Sequence, residues 1–210
     1  MDVWGIVVAA GAGRRFGRAK QFEALGDRRL VDRAVETALL GCDEIVLVLP
    51  EGASWDGPSV HTVVTGGATR SDSVRAGLAA VPDHVAVVVV HDAARPLASR
   101  ELFAAVIAEI AAGADAAVPG IPVTDTIKRV DGSLVVETVA RDTLVAVQTP
   151  QAFAAAALRA AHADAAHATD DAALVEAAGG RVVVVAGEQH NLKITAPRDL
   201  DLALTWTEDA

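Results

Sequence analysis

One cysteine, Cys42, is all the thiol chemistry in this 210-residue chain. A lone thiol excludes a disulfide framework and fits a reducing compartment. It reads as a small buried apolar residue beside a helix end. Long hydrophobic runs are missing too. The longest, such as residues 85–90, are strand-length, whereas a membrane-spanning helix needs roughly 20 apolar residues. The start, Met1-Asp2-Val3-Trp4, has neither the basic stretch nor the small-residue cleavage site of a secretory signal. The expectation is a cytoplasmic protein whose mature chain begins near Met1 and which has no membrane partner. Positive charge is in deficit, 18 basic against 28 acidic residues, for a net charge of −10. That excludes general affinity for nucleic-acid backbone, which needs a basic face. It leaves room for one small polyanionic ligand held by local positive charge. No internal repeat, His-Glu-x-x-His or Gly-x-Ser-x-Gly motif occurs, so neither a zinc site nor a serine hydrolase is expected. His162 and His167, on an alanine-rich stretch, read as bland.

What is present is apolar and rhythmic. Apolar residues make up 52% of the chain, enough for a sizeable core. Residues 3–10, 45–49, 60–64, 85–90, 114–118 and 181–185 read as strands. Between them, residues 30–40, 71–81 and 101–112 carry helical spacing. This alternation predicts a mostly parallel sheet covered by helices on both sides. Toward the C-terminus, Thr169 reads as the N-cap of a helix over 170–178, stopped by Gly179-Gly180, and Pro197 suits the first turn of a last helix. One segment breaks the rhythm: residues 126–130 and 134–137 flank an Asp131-Gly132 turn, a strong hairpin signal. The economical organisation is one domain over residues 1–210 with a hairpin arm at about 124–147, suited to holding a second subunit.

Three loops gather the chemistry. Ala9-Ala10-Gly11-Ala12-Gly13-Arg14-Arg15 follows the first strand, and open α/β sheets bind ligands beyond the carboxyl ends of strands. Gly11 and Gly13 allow the backbone to approach a phosphate, and Arg15 and Lys20 suit a triphosphate. No Gly-Lys-Ser/Thr follows, and Phe16 stands where a dinucleotide fingerprint has its third glycine. An ordinary glycine turn with solvated arginines is an equal reading of this loop alone. His91-Asp92-Ala93-Ala94-Arg95 begins where the strand over 85–90 ends. Asp92 is a candidate Mg²⁺ ligand against nucleotide phosphates, or else half of a loop-tying pair with Arg95. His91 reads as packed or hydrogen-bonded. Gly66-Gly67-Ala68-Thr69-Arg70-Ser71-Asp72-Ser73 combines a helix cap with backbone groups and a hydroxyl, on Ser73, suited to the edge of a base. Thr126, Lys128, Arg141, Thr149 and Lys193 are dispersed, and each alone reads as a surface residue. Gln148-Thr149-Pro150-Gln151 reads as a helix opening.

These runs, in this order, resemble the 2-C-methyl-D-erythritol 4-phosphate cytidylyltransferase family. Also matching are Lys20-Gln21-Phe22, Asp125-Thr126-Ile127-Lys128, Thr169-Asp170-Asp171-Ala172 and Lys193-Ile194-Thr195. The resemblance implies a three-layer, Rossmann-like nucleotidyltransferase fold with a projecting hairpin arm. It implies an enzyme that transfers CMP from CTP to 2-C-methyl-D-erythritol 4-phosphate and releases pyrophosphate. Ala9, Ala10, Gly11, Ala12, Gly13, Gly67, Ser73, Asp92 and Ala93 would then hold CTP. Arg15 and Lys20 would stabilise charge on the triphosphate, and Asp92 would bind Mg²⁺. Arg95, Thr126, Arg141, Thr149 and Lys193 would position the acceptor. Arg141 and Lys193 join the catalytic set, and a homodimer forms through the arm. Two departures stand out: Ala19 precedes Lys20 where the family usually has proline, and the segment from Gly13 to Lys20 is shorter than usual. The chain ends soon after Trp206, so no fused cyclase domain is expected. Three other readings stay open: a ribitol-5-phosphate cytidylyltransferase, an NAD(P)-dependent oxidoreductase built on Gly11 and Gly13 with Glu51, and a non-catalytic nucleotide-binding protein.

Overall fold

The computed structural model describes residues 1–11, 13, 16–163, 168 and 170–208. Strand β1 (Val3–Val8) leads through a single 3-10 turn (Lys20–Phe22) and two short strands, β2 (Ala24–Leu25) and β3 (Arg28–Arg29), into helix α1 (Leu30–Gly41). Then come β4 (Glu44–Leu49), β5 (Thr62–Thr65), α2 (Arg70–Ala79), β6 (Val87–Asp92), α3 (Arg100–Ala111) and β7 (Ala116–Pro122). The hairpin β8 (Ile127–Asp131) and β9 (Leu134–Val139) precedes β10 (Val145–Val147), β11 (Gln151–Ala154) and α4 (Ala155–His162). Helix α5 (Asp171–Ala177), β12 (Val182–Ala186) and α6 (Pro197–Glu208) complete the order.

The main sheet runs β10-β7-β11-β6-β1-β4-β5, with β12 on the other edge of β7. The pairs β1–β4, β1–β6, β4–β5 and β7–β12 are parallel, while β10 and β11 lie antiparallel to their neighbours. Both faces are covered, which explains the unbroken valine runs. Side chains alternate across a strand, so Ile45, Leu47, Val87 and Val89 meet α1 and α3 on one face. Val46, Val48, Val88 and Val90 meet α2, α4 and α5 on the other. A smaller cluster of Phe16, Leu25, Leu30, Ile194 and Ala203 ties the segment after β1 to the chain entering α6. That cluster brings the Lys20 and Lys193 segments, far apart in sequence, to one side of the sheet. Cys42 is buried at the end of α1, where burial pushes its thiol well above the ordinary range.

Several expectations need correction. The strand expected over 85–90 begins at Val87 and runs on through His91 and Asp92, so Asp92 is a strand residue at the sheet's carboxyl edge and not part of a following loop. Gln151 does not open a helix. Residues 151–154 form β11, inserted between β6 and β7, and α4 starts only at Ala155. Alanine favours helix by propensity, but Ala152 and Phe153 are fully buried and pair with strands on both sides, so tertiary pairing overrides it. The helix near residue 171 is capped by Asp170, whose carboxylate accepts from the Ala173 N–H at 3.0 Å. Thr169, the expected cap, lies outside the described residues.

The Asp131-Gly132 hairpin is present as a separate two-stranded sheet, with Gly132 at φ +57°. Val130, Leu134, Val135 and Val136 on it are all exposed. Residues 145–147, expected within the arm, instead return to the main sheet as β10. No described helix is long and apolar enough to cross a membrane. Phe153 fills the core under β11 with no exposure. Phe153→Ala is expected to cost about 3–5 kcal/mol, read as a lowered midpoint in urea unfolding with an unchanged slope.

Candidate active site

Parallel register sets the site. Val8 lies opposite both Val48 and Asp92, so the chain leaves β1, β4 and β6 at one level. The Ala9 N–H donates to the Val48 carbonyl at 2.8 Å and the Ala93 N–H to the Val8 carbonyl at 3.1 Å. These bonds hold the loops after β1 and β6 side by side. Gly13 has φ +62°, and a Cβ there would fall 1.7 Å from the Arg18 carbonyl oxygen. Only glycine fits that turn. The loop before α2 packs equally close: a Cβ on Gly66 would lie 2.3 Å from the Ala10 Cβ. The α2 N-terminus is closed by a reciprocal pair, Thr69 Oγ accepting from the Asp72 N–H and the Asp72 carboxylate accepting from the Thr69 N–H. Ser73 Oγ accepts from the Gly67 N–H at 3.2 Å and donates to the Thr69 carbonyl at 3.0 Å, so this hydroxyl shapes the loop.

Together these loops enclose a cavity of about 460 Å³. Ala9, Ala10, Gly11 and Gly13 line it from the loop after β1, Gly67 from the loop before α2 and Ser73 from the first turn of α2. Asp92 and Ala93 line it from β6, and Lys20 and Lys193 from the two segments joined by the small cluster. The Lys20 ammonium donates to the Ile194 carbonyl. A second cavity of about 190 Å³ includes Arg95, Thr149 and Gln151. Asp92, Arg70 and Lys193 line both cavities.

Charge is concentrated at that junction. Asp92 Oδ1 accepts from Arg70 Nε at 3.1 Å, and Oδ2 accepts from Lys193 Nζ at 2.6 Å. Burial works to raise the Asp92 carboxyl, but the two cations outweigh it and hold the group well below the usual carboxylate range. Arg70 in turn donates through Nη1 to Asp171, which has no exposed surface, at 2.6 Å. Asp171 also accepts from His162 Nε2 at 3.0 Å. His162, expected to be bland, is a buried hydrogen-bond partner of Asp171. His167 lies outside the described residues.

His91 is packed and hydrogen-bonded as expected. Its Nε2 lies 3.0 Å from the Arg95 carbonyl and its Nδ1 lies 3.2 Å from Thr149 Oγ. The carbonyl can only accept, so Nε2 carries the proton and Nδ1 accepts from the Thr149 hydroxyl. That hydroxyl also accepts from the Asp92 N–H at 3.0 Å. Thr149 therefore fixes the backbone of Asp92 from a buried position. Arg95 Nη1 donates to the Asn191 carbonyl at 2.6 Å and Nη2 to the Val147 carbonyl at 3.3 Å, tying the Lys193 segment to β10.

The remaining expected site residues are not gathered here. Thr126 and Arg141 are exposed and line neither cavity, and the Arg141 guanidinium donates to the Thr124 carbonyl. Ala12 and Arg15 lie outside the described residues. Arg70, Asp171 and His162 were given no role by sequence reading. Arg70 and Asp171 fall within the motif runs, but no local signal links residues 101 positions apart.

The residues fit a divalent cation. No group of three acidic, histidine or cysteine side chains that could hold a metal ion occurs among the described residues, but Mg²⁺ on a nucleotide needs only one or two carboxylates beside phosphate oxygens. Asp92 is a carboxylate at the shared wall of both cavities, with lone pairs beyond the two used by Arg70 and Lys193.

The family model for IspD, 2-C-methyl-D-erythritol 4-phosphate cytidylyltransferase, matches residues 3–208. The chain belongs to this family. It is 47% identical to the 2-C-methyl-D-erythritol 4-phosphate cytidylyltransferase of Rhodococcus jostii, covering 97% of this chain and 94% of that protein. It is 45% identical to a bifunctional IspD/IspF enzyme of Clavibacter michiganensis, covering 93% of this chain and 52% of the longer protein. Among solved structures it resembles the Thermus thermophilus 2-C-methyl-D-erythritol 4-phosphate cytidylyltransferase at TM-score 0.85 and 38% identity, covering 99% of this chain and all of that one. IspD members are cytidylyltransferases, so this chain is a nucleotidyltransferase, as the ordered motifs implied.

One pH dependence follows from the site. Burial pushes the His91 imidazole down to about 4, whereas an unfolded histidine titrates near 6.5. Between those values the unfolded chain binds the extra proton, so stability rises with pH there. Lowering the pH from about 6.5 to 4 should remove roughly 3 kcal/mol through this group. Urea titrations at both ends of the window, compared with His91→Gln, measure it; the variant should show a flatter dependence.

Proposed function

We propose that the larger cavity binds CTP, that the smaller one binds 2-C-methyl-D-erythritol 4-phosphate, and that CMP transfer occurs where they meet. The products are 4-diphosphocytidyl-2-C-methyl-D-erythritol and pyrophosphate. The observation that carries this assignment is the wall of Asp92, Arg70 and Lys193 common to both cavities. A phosphate oxygen of the acceptor attacks the α-phosphorus of CTP in line, and pyrophosphate leaves. That oxygen is already anionic, so no general base is required. The protein's contribution is positioning and charge stabilisation.

Ala9, Ala10, Gly11, Ala12 and Gly13, with Gly67, Ser73 and Ala93, form the CTP side. Lys20 and Arg15 stabilise the triphosphate as charge moves onto the leaving group. Asp92 would hold a Mg²⁺ ion, which when bound neutralises phosphate charge. Lys193 and Arg95 face the acceptor, and Thr149 supports them by fixing Asp92. Thr126 and Arg141 complete the acceptor site from the hairpin of a second copy in a homodimer. The exposed valines and leucine of β8 and β9 support that placement, since exposed apolar clusters mark association surfaces. The chain is read as one domain with an arm, working in the cytoplasm, where its single buried thiol fits.

Pyrophosphate release with magnesium, across four nucleoside triphosphates and with either 2-C-methyl-D-erythritol 4-phosphate or ribitol 5-phosphate, tests the assignment. Release should need CTP and the methylerythritol acceptor; release with ribitol phosphate alone would overturn it. Losing one stabilising cation costs roughly 2.7–4 kcal/mol. Lys20→Ala should therefore lower turnover about a hundredfold or more, with an unchanged circular dichroism spectrum. The arm has its own test. Lys20→Ala and Arg141→Ala proteins, each inactive, should regain up to about a quarter of wild-type turnover when unfolded together and refolded, because hybrid dimers hold one intact site. No recovery would place Arg141 in its own subunit's site.

A further inference from the structure

We propose that Asp171 is a positioning residue for the transfer: it holds the Arg70 guanidinium against Asp92, and His162 holds Asp171 in turn. The inference rests on the two-cavity reading above and adds residues that lie behind the site. Asp171 is the most deeply buried carboxylate among the described residues, with no exposed surface, and it lies at the start of α5. Its two oxygens are divided, Oδ2 to Arg70 Nη1 at 2.6 Å and Oδ1 to His162 Nε2 at 3.0 Å. Arg70 is thus gripped at two points. Nη1 is fixed by Asp171 and Nε by Asp92 at 3.1 Å, so the plane of the guanidinium is set. Its third nitrogen, Nη2, is buried and has no partner among the described residues.

A buried charged donor without a partner is costly, and Arg70 lines both cavities. The orientation imposed by Asp171 keeps Nε, and the Asp92 carboxylate that it holds, at the junction. Without Asp171, Arg70 would keep only its bond to Asp92 and could rotate about it. Asp171 itself lines neither cavity and reaches them through Arg70, so its effect on the reaction passes through that residue.

The test uses the full-length protein with CTP, magnesium and the methylerythritol acceptor. Wild-type turnover comes first; its absence would sink the two-cavity reading, and with it the inference that rests on that reading. Given wild-type turnover, Asp171→Asn should lower kcat about tenfold or more while KM for CTP changes less than about threefold. In an Arg70→Gln background, adding Asp171→Asn should lower kcat no more than about twofold further, because residues acting as a unit are not additive. Equal fractional losses in both backgrounds, or an unchanged kcat, would overturn the proposal, because a merely structural residue multiplies its effect. If Asp171→Asn does not fold, the His162 pair decides. His162→Leu should lower kcat at unchanged KM for CTP, and His162→Gln, whose amide can donate in place of Nε2, should recover most of the loss. Equal loss in both would overturn the proposal.

Discussion

Asp92 is held on three sides, and most of the site's geometry follows from that. Its backbone N–H is fixed by the Thr149 hydroxyl, and its two carboxylate oxygens by Arg70 and Lys193. A lone carboxylate this deeply buried would protonate to escape the desolvation cost. Here the paired cations keep it ionised, so a negative group stands at the wall between the two cavities. The same three contacts recruit β6, α2, the turn before β11 and the segment before α6. Loss of any one of these elements from its place would disturb the others.

The parallel core was legible because its physics is local and repetitive. Valine runs such as residues 87–90 are buried on both faces, the pattern expected of a strand in a sheet covered by helices on both sides. The glycine loop was legible for a similar reason, since Gly13 takes a backbone shape open to few other residues. β11 was not legible. Gln151 to Ala154 has helix-forming alanines and too few residues to show alternation, and its strand conformation comes from the neighbours on either side. Nor does any periodicity show β6 continuing through His91 and Asp92, because polar residues at the end of a buried strand look like the beginning of a loop.

The candidate site divides in the same way. Residues in short motifs, such as Gly67 and Asp92, could be named from order and spacing. Arg70 was visible in its motif but had no role, because its partner Asp171 lies far along the chain and His162 lies on an alanine-rich helix with no motif at all. Long-range charge pairing leaves no mark on local sequence. The hairpin shows the reverse. Its turn was plain from Asp131-Gly132, yet within one chain it brings Thr126 and Arg141 to neither cavity. Their exposure, and that of the apolar residues around them, is the observation on which the proposed second copy rests.

The two cations on Asp92 differ in how firmly they are held. Arg70 is the more enclosed, with 23% of its side chain exposed against 39% for Lys193, and it is anchored on its far side by Asp171. Lys193 ends in a single ammonium on a flexible stem and makes its bond from the open side. A lysine is a point charge with freely rotating donors, whereas arginine presents a rigid fork. Lys193 is therefore the more easily displaced of the two partners, while Arg70 keeps Oδ1 in place. The carboxylate keeps its orientation through Oδ1 even where its Oδ2 contact yields. A rigid contact behind the junction and a yielding one on its more open side combine preorganisation with adaptability.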